Sequence, residues 1–175
     1  NNPALSVIIS TYNSEEWLEK VLLGYACQDT SDFEVVIADD GSKQPTFDLI
    51  ERLKAEVPYT IQHIWQEDDG FQKSRILNKA LVATKSDYVL MSDGDCIPRK
   101  DFVSVHLKFR EKGYFLSGGY FMLPMNISKK ITKNNIIAQD CFRVEWLKEN
   151  GLDSSFKTNK LTAKGFKENL LNKIT

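Results

Sequence analysis

Short apolar runs bounded by polar turns recur through the first two thirds of the chain, and between them apolar residues return every three or four positions. Ser6-Val7-Ile8-Ile9-Ser10 opens as a buried strand. Trp17, Leu18, Val21, Leu22, Tyr25 and Ala26 then follow helical spacing, behind Ser14 as N-cap and the acidic first-turn pair Glu15 and Glu16. Glu34-Val35-Val36-Ile37-Ala38 predicts a second strand, Phe47, Ile50 and Leu53 a second helix, and residues 59–65, introduced by Pro58, a third strand. Ile76, Leu77, Ala80 and Leu81 predict a third helix and residues 87–92 a fourth strand. Phe102, Val103 and Leu107 add a helix closed by Gly113, and residues 114–123 read as a further strand, broken or bulged at Gly118-Gly119. Strands alternating with helices in this way predict an α/β fold with crossover helices on a largely parallel sheet.

Beyond Pro124 the character changes to a Lys/Asn-rich tail with helical patterns over residues 136–149 and 163–173. We place the boundary there: an α/β domain over residues 1–125 and a basic, mainly helical extension over 126–175. The 175 residues suit one well-buried domain with an appendage, and 42% hydrophobic with 27% charged residues describe a water-soluble globular body. No apolar stretch approaches the roughly 18 residues of a membrane span, and Asn1-Asn2-Pro3 leads straight into an apolar strand without a basic region before it, so neither a span nor an export signal is expected. Cys27, Cys96 and Cys141 are too few and too scattered for a disulfide framework or a paired zinc site, so a reducing cytoplasm is the expected setting. A formal net charge of −1 removes the electrostatic case for a nucleic-acid partner. That total is uneven: from residue 126 onward ten Lys/Arg face five Asp/Glu. The tail is either a solvated lysine face or a surface that meets an acidic partner or, peripherally, the inner face of an anionic membrane.

In an open α/β sheet ligands bind beyond the carboxyl ends of the strands, where loops converge and helix N-termini point at the ligand. The four strands deliver Ser10-Thr11-Tyr12-Asn13, Asp39-Asp40-Gly41-Ser42, Gln66-Glu67-Asp68-Asp69-Gly70 and Asp93-Gly94-Asp95 to that edge. The last is the sharpest feature. Two carboxylates around one glycine offer hard oxygen ligands to Mg²⁺ or Mn²⁺, and Gly94 lets the turn approach a phosphate; alone, the same triplet is also a common solvated turn. Asp39 and Asp40 can accept from a base N–H or a ribose hydroxyl, or simply build an Asp-Gly turn. Tyr12 offers a stacking face, or packs. Arg75 can pair with a phosphate, and Asn78, one helical turn on, can hold a loop or a sugar hydroxyl; both also suit a polar helix surface. His63 and His106 lie inside regular elements and read as structural, and Cys96 as a small packing residue. No dinucleotide glycine fingerprint, Walker loop or nucleophile elbow is present.

Taken in order and spacing, Val7-Ile8-Ile9-Ser10-Thr11-Tyr12-Asn13, Val36-Ile37-Ala38-Asp39-Asp40-Gly41-Ser42 and Asp93-Gly94-Asp95-Cys96-Ile97-Pro98 resemble the GT-A fold glycosyltransferases of family 2 over about residues 6–119. Gln66-Glu67-Asp68-Asp69-Gly70-Phe71 with Ser74-Arg75-Ile76-Leu77-Asn78-Lys79-Ala80 is similar to the bacterial subgroup of chondroitin-polymerase-like and lipopolysaccharide or capsule transferases. The resemblance implies a Rossmann-like three-layer α/β/α domain with a helical tail. It also implies a nucleoside diphosphate sugar donor, with UDP as nucleotide, and a glycan or lipid-linked acceptor. Ser10, Thr11, Tyr12 and Asn13 would line the nucleotide pocket, with Tyr12 against the base; Asp40 would hydrogen-bond the uracil or other base with Asp39 beside it in the donor site, and Asp93 would contact the ribose or donor sugar. Asp95, with Asp93, would hold Mn²⁺ or Mg²⁺, and Arg75, Asn78 and the Asp68-Asp69 turn would lie near the diphosphate and donor sugar. Family members invert: an acceptor hydroxyl deprotonated by a carboxylate attacks the anomeric carbon as the metal-bound diphosphate leaves.

The sequence departs from the family at the base. The acidic pair that supplies it, often Glu-Asp, is absent after Gly119. We therefore expect a donor site without a complete acceptor site, and transfer that is poor or absent. Two other classes stay open: a non-catalytic nucleotide-binding or interaction module, and a sugar nucleotidyltransferase, whose glycine-rich loop Ser10-Thr11-Tyr12-Asn13 does not match.

Overall fold

The computed structural model describes residues 2–153. The element order is β1 Leu5–Thr11, α1 Glu15–Ala26, β2 Phe33–Asp39, α2 Gln44–Glu56, β3 Thr60–Trp65, α3 Lys73–Ala83, β4 Val89–Asp93 and α4 Phe102–Phe109, then the short helices α5 Met125–Lys130, α6 Lys133–Ile137 and α7 Val144–Glu149. The chain divides into two compact units, Asn1–Ser117 and Gly118–Thr175.

The first unit holds a four-stranded sheet in the order β3-β2-β1-β4, parallel throughout. Parallel strands are joined by crossovers, so both faces must be covered, and the apolar runs predicted from sequence meet that demand. On one face Leu5, Val7 and Ile9 of β1 with Phe33, Val35 and Ile37 of β2 pack against Leu18, Val21, Leu22 and Tyr25 of α1, Leu49, Ile50 and Leu53 of α2, and Val103 of α4. The opposite face is smaller: Ile8, Val36 and Ala38 meet Ile76 and Ala80 of α3. These are the three layers expected. The one buried charge at the amino-terminal edge, Glu34, is satisfied there by Ser6 Oγ at 2.7 Å, Lys85 N at 2.7 Å and Gln62 Nε2 at 2.9 Å.

The order of the strands reverses at β1: β2 and β3 build outward on one side, and the chain returns to lay β4 on the other. Such a switch point splays the loops after its two central strands and opens a crevice between them. Register brings the strand ends level, with Thr11 opposite Asp39, Asp39 opposite Trp65, and Ser10 opposite Asp93.

Three expectations change. Residues 114–123 form no strand. Their residues are apolar enough for one, but strand propensity needs a ladder partner, and here Tyr114, Phe115, Tyr120 and Met122 stay exposed, Phe115 at 88%. The helix expected over 136–149 is cut in two, because Gln139 takes a left-handed φ of 59° that ends α6, and a 3₁₀ turn at Asp140–Phe142 precedes α7. Ser14 stands at the N-cap of α1, but its hydroxyl donates to Tyr12 O at 2.9 Å and makes no cap bond. The helix expected over 163–173, and half of the basic residues of the tail, lie outside the described residues. No helix among the described residues is long and apolar enough to cross a membrane.

Candidate functional site

A cleft of about 590 Å³ lies at the switch point, and its lining comes from the ends of β1, β2 and β4 and the starts of α1 and α3. Of the residues singled out in the sequence, Ser10, Thr11, Tyr12, Asp40, Asp93 and Asp95 line it. Each is placed by backbone logic. Gly94 N donates to Ser10 O at 2.9 Å and Asp40 N to Thr11 O at 3.1 Å, so the loops after β4 and β2 are both tied to the end of β1. A Cβ on Gly94 would stand 2.7 Å from Ser10 O, which is why the residue between the two aspartates is glycine. Gly41, at φ 101°, leaves the same kind of room for the backbone of Asp68.

The carboxylates are differently equipped. Asp40 is almost buried; its Oδ1 accepts from Gln66 Nε2 at 2.6 Å and its Oδ2 from Gln72 N at 2.8 Å, which fixes the carboxylate at the cleft wall. Asp93 Oδ1 accepts from Ser10 Oγ at 3.0 Å and from Lys73 Nζ at 2.6 Å. The Lys73 ammonium, helped by the Ser10 hydroxyl and opposed by partial burial, holds the Asp93 carboxyl below its ordinary range. Tyr12 is half exposed and donates to Asp68 Oδ2 at 2.8 Å, and that carboxylate raises the phenol's pKa. Thr11 Oγ1 is buried at the cleft without a hydrogen-bond partner.

One ligand atom each from Asp93, Asp95 and Cys96 lies within 4.8 Å of the others, so the turn can converge on one cation. Two carboxylates fit a hard divalent ion such as Mg²⁺ or Mn²⁺. Burial, with Asp95 and Asp93 beside it, pushes the Cys96 thiol up to about 11, so it is protonated at neutral pH and is no ready nucleophile.

Other predicted residues go elsewhere. Asp39 is fully buried: its Oδ1 accepts from Ser42 N at 2.8 Å, and its Oδ2 lies 2.8 Å from His63 Nε2. It shapes the turn that aims Asp40 and is absent from the cleft lining. Asn13, at φ 43°, ties the loops after β1 and β2 together, donating from N to Ser42 Oγ at 2.8 Å and accepting at Oδ1 from Lys43 N at 2.8 Å. Asp69 and Arg75 line a separate hollow of about 510 Å³ with Trp65, Gln66, Glu67, Asp68 and Lys79, and exposed Asn78 lines neither hollow. Helical phase decides this, because Lys73, two residues before Arg75, is turned to the cleft in its place.

Sequence reasoning missed Lys73, Trp17 and Phe71, all on the cleft lining. Trp17 fits the helical stripe of α1 and reads as core. Phe71 and Lys73 sit in a turn and a first helical residue, where no periodicity applies. The only available signal was their nearness to the Asp68-Asp69-Gly70 turn.

The model for "Glycosyl transferase family 2" matches residues 6–158. An uncharacterised glycosyltransferase, YfnE of Bacillus subtilis (strain 168), is 36% identical over 107 residues, which is 61% of this chain and 26% of that protein. Chondroitin synthase of Pasteurella multocida (strain Pm70) is 34% identical over 107 residues, 61% of this chain and 11% of the relative. Among solved structures, S. aureus TarS 1-349 in complex with UDP-GlcNAc superposes with a TM-score of 0.51 at 31% identity, covering 60% of this chain and 30% of that one. The mannosyltransferase PcManGT from Pyrobaculum calidifontis, in complex with GDP-Man and Mn²⁺, gives 0.53 at 26% identity, covering 62% and 32%. The chain thus spans about a quarter or less of the two sequence relatives and about a third of the two structures.

Proposed function

The chain belongs to glycosyl transferase family 2, and from that premise we propose that its cleft binds a nucleoside diphosphate sugar, with UDP as the nucleotide, for inverting transfer to a hydroxyl of a glycan or lipid-linked acceptor in surface polysaccharide synthesis. One observation carries the reading. At the switch point of a parallel sheet, Asp93-Gly94-Asp95 meets Ser10, Thr11, Tyr12 and Asp40 around a cleft of about 590 Å³, within the usual size of small-molecule sites.

Tyr12 presents an exposed ring on which a base can stack. Asp40, held by Gln66 and Gln72, is a rigid acceptor for a base N–H. Ser10 positions Asp93, and Asp93 with Asp95 would hold Mn²⁺ or Mg²⁺. When bound there, such an ion neutralises a diphosphate and makes it a better leaving group. The bound nucleotides of TarS and PcManGT, and the Mn²⁺ of the latter, support the same assignment here.

On the acceptor side no Glu-Asp pair follows Gly119, and Asp140, the first carboxylate there, accepts from Asn135 Nδ2 at 2.9 Å and Arg143 at 2.6 Å. On this reading the cleft serves the donor side of the transfer. The missing acid pair also favours a second reading, a nucleotide-binding module without catalysis; slow metal-dependent hydrolysis of a nucleotide sugar separates the two, since a pure binding module lacks it.

Calorimetric titration of UDP with and without Mn²⁺, repeated on Asp95→Ala, tests the donor site. Binding that needs both Mn²⁺ and Asp95 is the expected result. No binding of UDP or GDP under any of these conditions would refute it.

A further inference from the structure

Four carboxylates line the cleft, Asp40, Asp68, Asp93 and Asp95, against one cation among the described residues, Lys73. A nucleoside diphosphate entering this lining meets net negative charge, and Lys73 is the side chain able to offset it. Its Nζ lies 2.6 Å from Asp93 Oδ1, the oxygen that also accepts from Ser10 Oγ at 3.0 Å. That carboxylate belongs to the group whose ligand atoms lie within 4.8 Å of one another, so the ammonium and a divalent ion draw on the same aspartate.

Local structure gives no reason for a lysine here. Lys73 is the first residue of α3, where the helix dipole disfavours a cation, and no acidic residue of that first turn compensates. The ion pair is open to solvent, with side chains 39% and 55% exposed, so it is screened and easily parted. A four-carbon stem then lets the ammonium swing across the cleft without moving the backbone.

On the reading of the cleft as a donor site, we infer that Lys73 is a resident counter-ion: it neutralises Asp93 while the cleft is empty and passes to the diphosphate when donor and divalent ion enter together. Until the diphosphate takes the ammonium, Lys73 and the ion repel each other and compete for Asp93. Binding of ion to the free protein is weakened accordingly, and nucleotide and ion strengthen each other's binding by the same factor, as linkage requires. Lys73 is thus a positioning residue that couples the two ligands.

The test measures Mn²⁺ binding to the free protein by electron paramagnetic resonance, and UDP binding by calorimetry in EDTA and in Mn²⁺. Wild type, Lys73→Gln and Lys73→Arg are compared, each checked for folding by a thermal melt. Lys73→Gln is expected to bind Mn²⁺ alone about fivefold more tightly, the scale of an exposed pair. With Mn²⁺ saturating, it should bind UDP about tenfold more weakly, the scale of a lost charge-assisted hydrogen bond. Lys73→Arg keeps the charge and should follow the wild type in both. Unchanged or weaker Mn²⁺ binding by Lys73→Gln, with UDP and Mn²⁺ still bound together by the wild type, would overturn the role of Lys73 and leave the donor site standing. Failure of the wild type to bind UDP or GDP would overturn the donor site itself, and the nucleotide-free Mn²⁺ titration still decides whether Lys73 competes with a cation for Asp93.

Discussion

Replacing Gly94 by alanine tests whether the cleft is held together by the close approach of β4 to β1. The new Cβ would stand 2.7 Å from Ser10 O and 3.5 Å from Thr11 Cβ. Nonbonded heavy atoms rest at roughly 3.5–4.0 Å, so the backbone oxygen or the turn must move by several tenths of an ångström. The oxygen cannot retreat freely, because it accepts the 2.9 Å hydrogen bond from Gly94 N itself. Crowding of this kind costs about 1–3 kcal/mol, and loosening that hydrogen bond about 0.5–1.5 kcal/mol more. Alanine recovers about 0.4–1 kcal/mol by restricting the unfolded chain. The net expectation is a loss of about 0.5–4 kcal/mol, centred near 2. Urea denaturation followed by circular dichroism reads this as a midpoint lowered by about 1 M with an unchanged slope. Gly118→Ala is the control: nothing lies within 4 Å of its added Cβ and its φ is not left-handed, so it keeps only the unfolded-chain gain and its midpoint should equal or slightly exceed the wild type's. A Gly94→Ala midpoint within about 0.2 M of wild type would refute the steric account. Because the displaced turn carries Asp93 and Asp95, the same variant should lose Mn²⁺-dependent UDP binding even where it remains folded.

Two further outcomes follow from the site. Tyr12→Ala should weaken UDP binding by about 1–3 kcal/mol if the ring stacks on the base, whereas Tyr12→Phe, which loses only the hydrogen bond to Asp68, should lose far less; calorimetry distinguishes them, and equal losses would assign the effect to the hydroxyl. The depressed Asp93 pKa has a definite sign. Its contribution to stability is present above the ordinary value of 3.8 and is lost as the pH falls through the lower folded value. Side-chain NMR should find Asp93 titrating below 3.8 in the wild type and moving back toward it in Lys73→Gln, while an unmoved midpoint would show that Lys73 is not the cause.

What could be read from sequence was whatever depends on neighbours along the chain. Apolar runs of strand length and helical spacing located all four strands and the helices around them, because burial on both sheet faces imposes those periods on consecutive residues. The converging loops were legible for the same reason: strand ends sit at one level, so the polar residues that end each run share one edge. Side-chain direction and pairing across strands were not legible. Asp39 and Asp40 are adjacent in sequence, yet one is buried against His63, 24 residues away, and the other faces the cleft. Arg75 and Lys73 lie two residues apart on α3, and the helical rotation between them sends one to the neighbouring hollow and the other to Asp93. Residues 114–123 carry strand chemistry without a strand, since a ladder needs a partner that local propensity cannot provide. Sequence alone therefore determined the α/β class, the sheet edge that carries the site and the family. The tertiary structure decided which side chains at that edge meet in one cleft, because hydrogen-bond partners and like charges are brought together there from positions with no fixed spacing in the chain.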